Sequence, residues 1–281
     1  MAGIFSGFDK LGLGNIGGED LFEDPRKKEV AVKKEEPKKR LQLVNEEDYL
    51  YDKKYKCPVC DSDFEAKTVR TGKVKMKGVD IDLRPDYDEL DQNKYDVIAC
   101  TACGYAALGR YFPNLNKVQI EDIRLKICMN YKHEPNRDAI YSYDFSKRLY
   151  QLALANAVVK KAKNSEKAYL CLKYAWVIRG ETQRLDPSEE GYEAKKKEND
   201  EQEKELLTNA LNGFVMARQT EEFPIAGMDS TTLDYLIAAL AVETRQKEIA
   251  NKMISDILSS RAANSRIKDK ARTLKEMLDE S

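Results

Sequence analysis

Cys57-Pro58-Val59-Cys60 and Cys100-Thr101-Ala102-Cys103 carry the chemistry of this 281-residue chain. Each C-x-x-C pair puts two thiolates on one tight turn. The 39 residues between Cys60 and Cys100 suffice for a hairpin that folds one turn onto the other. Four converging thiolates suit a tetrahedral divalent ion, and zinc accepts that geometry without an electronic penalty. Sulfur at every position leaves no place for water or substrate, so the expected role is one structural zinc ion. Gly104 follows the second pair where the turn requires positive φ, and Asp61 fills the equivalent place after the first. Lys53, Lys54, Lys56 and Lys67 lie close enough in sequence to offset the excess negative charge of four thiolates. A thiol–disulfide motif would need a low-pKa cysteine at a helix N-terminus, whereas these flanks read as strand and turn.

The remaining polar residues offer less. Cys128 and Cys171 stand alone among apolar neighbours on expected helices, where a buried small hydrophobe is the ordinary role. Five helical positions rotate by about 140°, so Cys128 and His133 are expected to face apart rather than share a second metal. His133 is the sole histidine, and neither a nucleophile elbow nor a phosphate-cradling glycine loop is present, so an enzyme is not expected. Asp80, Asp82, Arg84 and Tyr87 form a polar cluster between the cysteine pairs. It reads either as a site for a small polar or anionic group or as a turn closed by an internal ion pair.

The elements that must position these residues divide the chain into three. Residues 1–45 are expected to be a disordered tether with a glycine-rich tip. Its first 18 residues hold six of the 14 glycines, mixed with Ile4, Phe5, Phe8, Leu11, Leu13 and Ile16. Residues 19–41 are dominated by Lys, Glu, Asp and Pro and cannot bury enough to offset their ordering. A tether of that length reaches roughly 25 Å. Residues 46–115 read as a zinc ribbon with an enlarged central hairpin, a small module with little core of its own to which metal would lend folding energy. Phe64 to Arg70 alternates, as do Val79, Ile81 and Leu83, and Tyr95 to Cys100 runs apolar into the second pair. Turns are expected at Thr71-Gly72 and Lys77-Gly78.

Residues 116–281 read as about six helices in hairpins, which makes the chain an α+β protein. Asn116 caps a helix whose Ile120, Ile123, Ile127 and Tyr131 share a face, with Pro135 as its stop. Later helix starts are signalled at Ser165, at Asp186-Pro187-Ser188-Glu189 and at Thr231 with Asp234. Residues 189–205 read as a solvated helical extension held by ion pairs one turn apart. Ala210, Phe214 and Ala217 have an A-x3-F-x2-A spacing that Ala250, Ile254 and Ile257 repeat 40 residues later and Ala155, Val159 and Ala162 echo upstream. This is the second-helix pattern of a tetratricopeptide-like hairpin. Tyr169, Tyr174 and Trp176 are candidates for a partner groove, although core packing is the ordinary role of such a tryptophan.

Charged residues make up 35% and the net charge is -1, which argues against a protein that coats nucleic acid along its length. Hydrophobic residues at 42% suffice for a packed core. No apolar run approaches the roughly 20 residues of a membrane helix, and no secretion signal is read. Two C-x-x-C pairs with two lone cysteines fit a reducing compartment, so the cytoplasm is expected. Nucleic acid remains an alternative partner, because Lys53, Lys54, Lys56, Lys67, Arg70, Lys73, Lys75 and Lys77 make the ribbon locally basic beside Tyr51, Tyr55 and Phe64.

Lys56 to Cys60, Asp80-Ile81-Asp82-Leu83-Arg84, Tyr95 to Ala107 and the helix from Tyr169 to Arg179 together resemble a bacterial family without assigned function, domain-of-unknown-function family 2225. The resemblance covers about residues 45–281. It implies a cytoplasmic protein with a ribbon followed by tetratricopeptide-like helices, metal held by Cys57, Cys60, Cys100 and Cys103, and no known activity. Thr101, where the family more often has proline, and Asp61, where it often has glycine, depart from the pattern without removing a ligand. The two cysteine turns are also similar to those of rubredoxin, in reversed order and more widely spaced, which makes a one-electron iron carrier a second alternative. The reading that joins these features is a non-catalytic zinc-binding adaptor whose helices bind a protein or peptide.

Overall fold

The computed structural model describes residues 45–87, 89–133 and 138–280. The expected tether, apart from Asn45, and Pro135 lie outside them. The fold is α+β: three two-stranded antiparallel sheets followed by seven helices among the described residues.

β1 (Leu50–Lys56) pairs with β2 (Asp63–Val69) from Leu50↔Val69 to Lys56↔Asp63, and the first cysteine turn closes this hairpin. Phe64 and Ala66 of β2 are buried and Glu65 between them is exposed, as the alternation required. β3 (Met76–Val79) pairs with β4 (Pro85–Tyr87), and β5 (Val97–Ala99) pairs with β6 (Ala106–Leu108) across the second cysteine turn.

The middle hairpin differs from the sequence expectation. Lys77-Gly78 is not a turn: it lies inside β3, where the register shifts between Met76 and Gly78. The reversal comes at Asp80–Arg84 instead, with Leu83 at φ 69° and Leu83 N donating to Asp80 O at 3.0 Å. Ile81 and Leu83 therefore belong to the turn and not to a strand. Tyr95 falls in a 3-10 turn (Gln92–Tyr95), so the apolar run becomes a strand only from Val97.

α1 (Lys117–Ile123) starts at a full capping box: Asn116 Oδ1 accepts from Gln119 N, and Gln119 Oε1 accepts from Asn116 N. It widens into one π-helical turn, Arg124–Cys128. α2 (Tyr143–Val159), α3 (Asn164–Thr182), α4 (Tyr192–Thr220), α5 (Ser230–Glu243), α6 (Lys247–Ser259) and α7 (Ser265–Asp279) follow. Two expected starts are displaced. Asp186 closes a tight local turn by accepting from Ser188 N at 3.0 Å, and α4 begins only after Gly191, at φ 88°. The cap of α5 is Asp229, which accepts from Thr232 N at 2.7 Å, rather than Thr231.

α3 packs along α4, α5 along α6, and α7 against α5 and α6. The repeat residues face inward: Ala210, Phe214, Ala217 and Ala250 are fully buried. The charged stretch of α4 behaves as expected on its outer side, where Lys196 pairs with Asp200 at 2.8 Å. Its inner side buries Asn199 and sends Glu203 to Arg179.

α2 lies across β5 and β6, so one apolar core runs without a break from Cys57, Val97 and Tyr105 through Tyr150 and Trp176 to Leu274. The ribbon is thus not core-poor, contrary to expectation: it shares the core of the helices. No described helix is long and apolar enough to cross a membrane.

Candidate metal centre

The two cysteine turns are near copies. Asp61 N donates to Cys57 O and Gly104 N to Cys100 O, both at 3.0 Å, and each turn then closes back on its strand through Cys57 N to Ser62 O and Cys100 N to Tyr105 O. Asp61 has φ 59° and Gly104 φ 76°, the left-handed conformations that the turn chemistry required. At Gly104 a second constraint acts, because a Cβ would run into the ring of Tyr131.

Folding one turn onto the other brings Cys57, Cys60, Cys100 and Cys103 together, their sulfur atoms all within 4.8 Å of one another. Cys57 Sγ lies 3.6 Å from Cys103 Sγ, and Cys60 Sγ lies 3.6 Å from Cys100 Sγ. Zn–S bonds of about 2.3 Å in a tetrahedron put sulfurs roughly 3.8 Å apart, so the cage has the right size for a metal ion. All four cysteines are free, and all but the half-buried Cys60 are buried. Val59 N points at Cys57 Sγ from 3.4 Å, the backbone donation that a coordinated thiolate accepts. The thiols perturb one another strongly. Contacts with Cys103 and then Cys57 draw Cys100 down to about 2, while Cys57 is pushed up to about 12, chiefly by Cys100. The donors fit zinc and would equally accept iron.

Helices brace both turns. Arg124 of the π-helical turn donates to Val59 O through Nε at 3.0 Å and Nη2 at 2.5 Å. Asn156 of α2 donates to Gly104 O at 2.9 Å. Cys128, on the same π-helical turn, interacts with Cys103 and lies outside the group of four. Sequence spacing paired Cys128 with His133 only to separate them, and gave no sign that it approaches the metal turn. The π-helical widening that aims it there has no local signature.

The polar cluster is a buried junction. Asp82, fully buried, accepts from Trp176 Nε1 at 2.7 Å and from Arg84 N at 3.2 Å, and pairs with Arg179 Nη1 at 3.0 Å. Arg179 further engages Glu203 at 2.6 Å, Glu243 at 3.1 Å and Asp80 at 3.5 Å. Arg84 reaches Gln183 at 3.0 Å and Asp91 at 3.6 Å. Gly180 permits this approach, since a Cβ there would collide with the Asp91 carboxylate. Asp80, Asp82 and Arg84 therefore meet, while Tyr87 stands apart opposite Met76. The ion-pair reading of the cluster is the one the geometry satisfies, although its main partners come from α3, α4 and α5.

Two groove candidates need correction. Tyr174 is fully buried and stacks on Tyr150, and Trp176 is only 3% exposed, so neither lines an accessible groove. Tyr169 is half-buried against the cation of Arg110. The basic ribbon strands are also balanced locally. Lys54 stands opposite Glu65 and Lys56 opposite Asp63, and Lys67 pairs with Asp52 at 3.0 Å. Three of the eight basic side chains thus stand opposite or against a carboxylate.

Residues 50–278 match a family described as an uncharacterized protein conserved in bacteria, domain-of-unknown-function family 2225. No curated protein and no solved structure matches the chain.

Proposed function

The chain belongs to the bacterial domain-of-unknown-function family 2225, and from that premise we propose that it is a non-catalytic adaptor in which a zinc ribbon braces tetratricopeptide-like helices that bind a protein or peptide partner. An all-sulfur cage closed to substrate supports a structural ion, and zinc fits it without redox chemistry. Free paired thiols suit a reducing compartment such as the cytoplasm.

The observation that carries partner binding is an apolar stripe on α1 and its π-helical turn. Val118, Leu125 and Met129 are 67%, 65% and 75% exposed, while Ile123 and Ile127 on the opposite side are fully buried. Val118, Leu125 and Met129 recur at i, i+7 and i+11 along α1, its π-helical turn and the residue that follows the turn. Large apolar side chains aligned on one outer face mark an interaction surface.

The test compares the metal-loaded chain with a Val118→Asp, Leu125→Asp, Met129→Asp variant as baits in a bacterial lysate. Quantitative mass spectrometry should show a partner depleted at least tenfold by the variant, with helicity and metal content unchanged. Undiminished recovery of every captured protein would overturn the adaptor reading. Elemental analysis of the bait should give one zinc per chain, and a red, iron-bearing preparation would replace zinc with the rubredoxin-like alternative.

A further inference from the structure

One short segment touches both cysteine turns. Arg124 opens the π-helical turn and donates to Val59 O of the first cysteine turn. Just beyond the π-helical turn, the Tyr131 ring lies so close to Gly104 of the second that a Cβ there would collide with it. Tyr131 N donates to Ile127 O at 2.9 Å, and Ile127 is fully buried, so the segment is fixed at both ends. Cys128 sits between these two contacts, packed against the core, and its sulfur interacts with that of Cys103. A helix thus supplies a fifth thiol beside the cage.

Five thiols exceed what one tetrahedral ion uses. Cys57, Cys60, Cys100 and Cys103 make up the group of four, and Cys128 lies outside it. Its sulfur therefore keeps a free lone pair when the other four are coordinated. Cys128 is also half-buried, whereas Cys57, Cys100 and Cys103 are buried, so a small oxidant reaches it more readily than those three. Cys171 in α3 is the contrast. It is fully buried, and burial pushes its thiol up to about 12, which keeps it protonated and inert.

We propose that Cys128 is an oxidation site whose product is a disulfide with Cys103, which withdraws Cys103 from the cage and lets the ion go. The oxidant is a hydroperoxide. The Cys128 sulfur, its proton given to solvent, attacks the terminal peroxide oxygen. The O–O bond breaks, and the alkoxide or hydroxide that leaves picks up a proton. The Cys103 sulfur then attacks the sulfenic acid so formed: the S–S bond forms, the S–O bond breaks, and hydroxide leaves to become water. Two thiols lose two electrons and one peroxide gains them. A dithiol reduces the bridge by thiol–disulfide exchange and ends as a disulfide itself. The inference rests on the cage as the metal site and not on the α1 surface proposed for partner binding.

The experiment treats the full, metal-loaded chain with one equivalent of hydrogen peroxide and blocks the remaining thiols. Disulfides are then mapped by mass spectrometry without reduction, while a chromogenic chelator follows the ion. The expected first product is Cys103–Cys128, with one ion released per bridge, and dithiothreitol with added zinc restores both thiols and metal. Cys128→Ser should release the ion at least tenfold more slowly, and Cys171→Ala at the wild-type rate. The wild-type map decides even where the serine variant loads metal poorly. First bridges within the group of four, such as Cys57–Cys103 or Cys60–Cys100, would overturn the assignment, as would release from fully loaded Cys128→Ser at the wild-type rate. Elemental analysis before oxidation keeps the two readings apart: a chain that carries no metal yet forms Cys103–Cys128 would refute the metal cage and uphold the oxidation site.

Discussion

Glu243 is a carboxylate that its surroundings keep from ionising. Burial, then Asp82, pushes it up to about 8, because Arg179 divides its charge among several acids. Glu203, half-buried, is raised as well, chiefly by desolvation. In the unfolded chain a glutamate titrates near about 4.3. The folded state therefore binds this proton more tightly. Its contribution is fully present below the unfolded value and is lost as pH rises through about 8. Glu243→Gln should flatten the fall in stability between pH 5 and 8 and should be the more stable protein at pH 8. Urea midpoints at equal metal loading check this, and parallel curves for the two proteins would place the pH dependence elsewhere. The cysteine ligands were legible at this scale because the whole signal sits in four letters and two positive-φ positions. Arg179 was not. It reads as one more charge on a helix, and its partners are scattered from Asp80 to Glu243.

At the scale of elements, Asp82 fastens the β3–β4 hairpin to α3. Asp82→Ala would strand the Trp176 and Arg179 donors in a buried site, a loss of about 3–5 kcal/mol. Asp82→Asn keeps an acceptor for both and should lose less. Unfolding followed by the fluorescence of Trp176, the sole tryptophan, measures both. Equal stability of the wild type and the alanine variant would show that the junction holds nothing. Strand and helix periods were readable wherever one face is buried, as in β2 and α1. They misled at Val79–Leu83, where alternating apolar residues belong to a turn that a buried carboxylate organises. Cap signals placed the start of α1 correctly but missed that of α4, since Asp and Ser also close short turns that lead into no helix, and they put that of α5 at Thr231 when Asp229 caps it.

For the whole molecule, the decisive feature is the continuous core beneath ribbon and helices, which no local pattern reveals because it depends on α2 lying across β5 and β6. Metal removal should therefore act locally. After chelation, amide exchange should accelerate in the cysteine turns and the β1–β2 hairpin, while α3, α5 and α6 keep their protection. Protection lost evenly along the chain would mean that the ion holds up the entire fold. The bracing of both turns by Arg124 and Asn156 has a further result. Those two side chains grip backbone carbonyls rather than sulfur, so they keep hold when the ion departs. If the four thiols hold an ion, those braces should limit how far the turns open after chelation, so the faster exchange should stop short of Arg124 and Asn156.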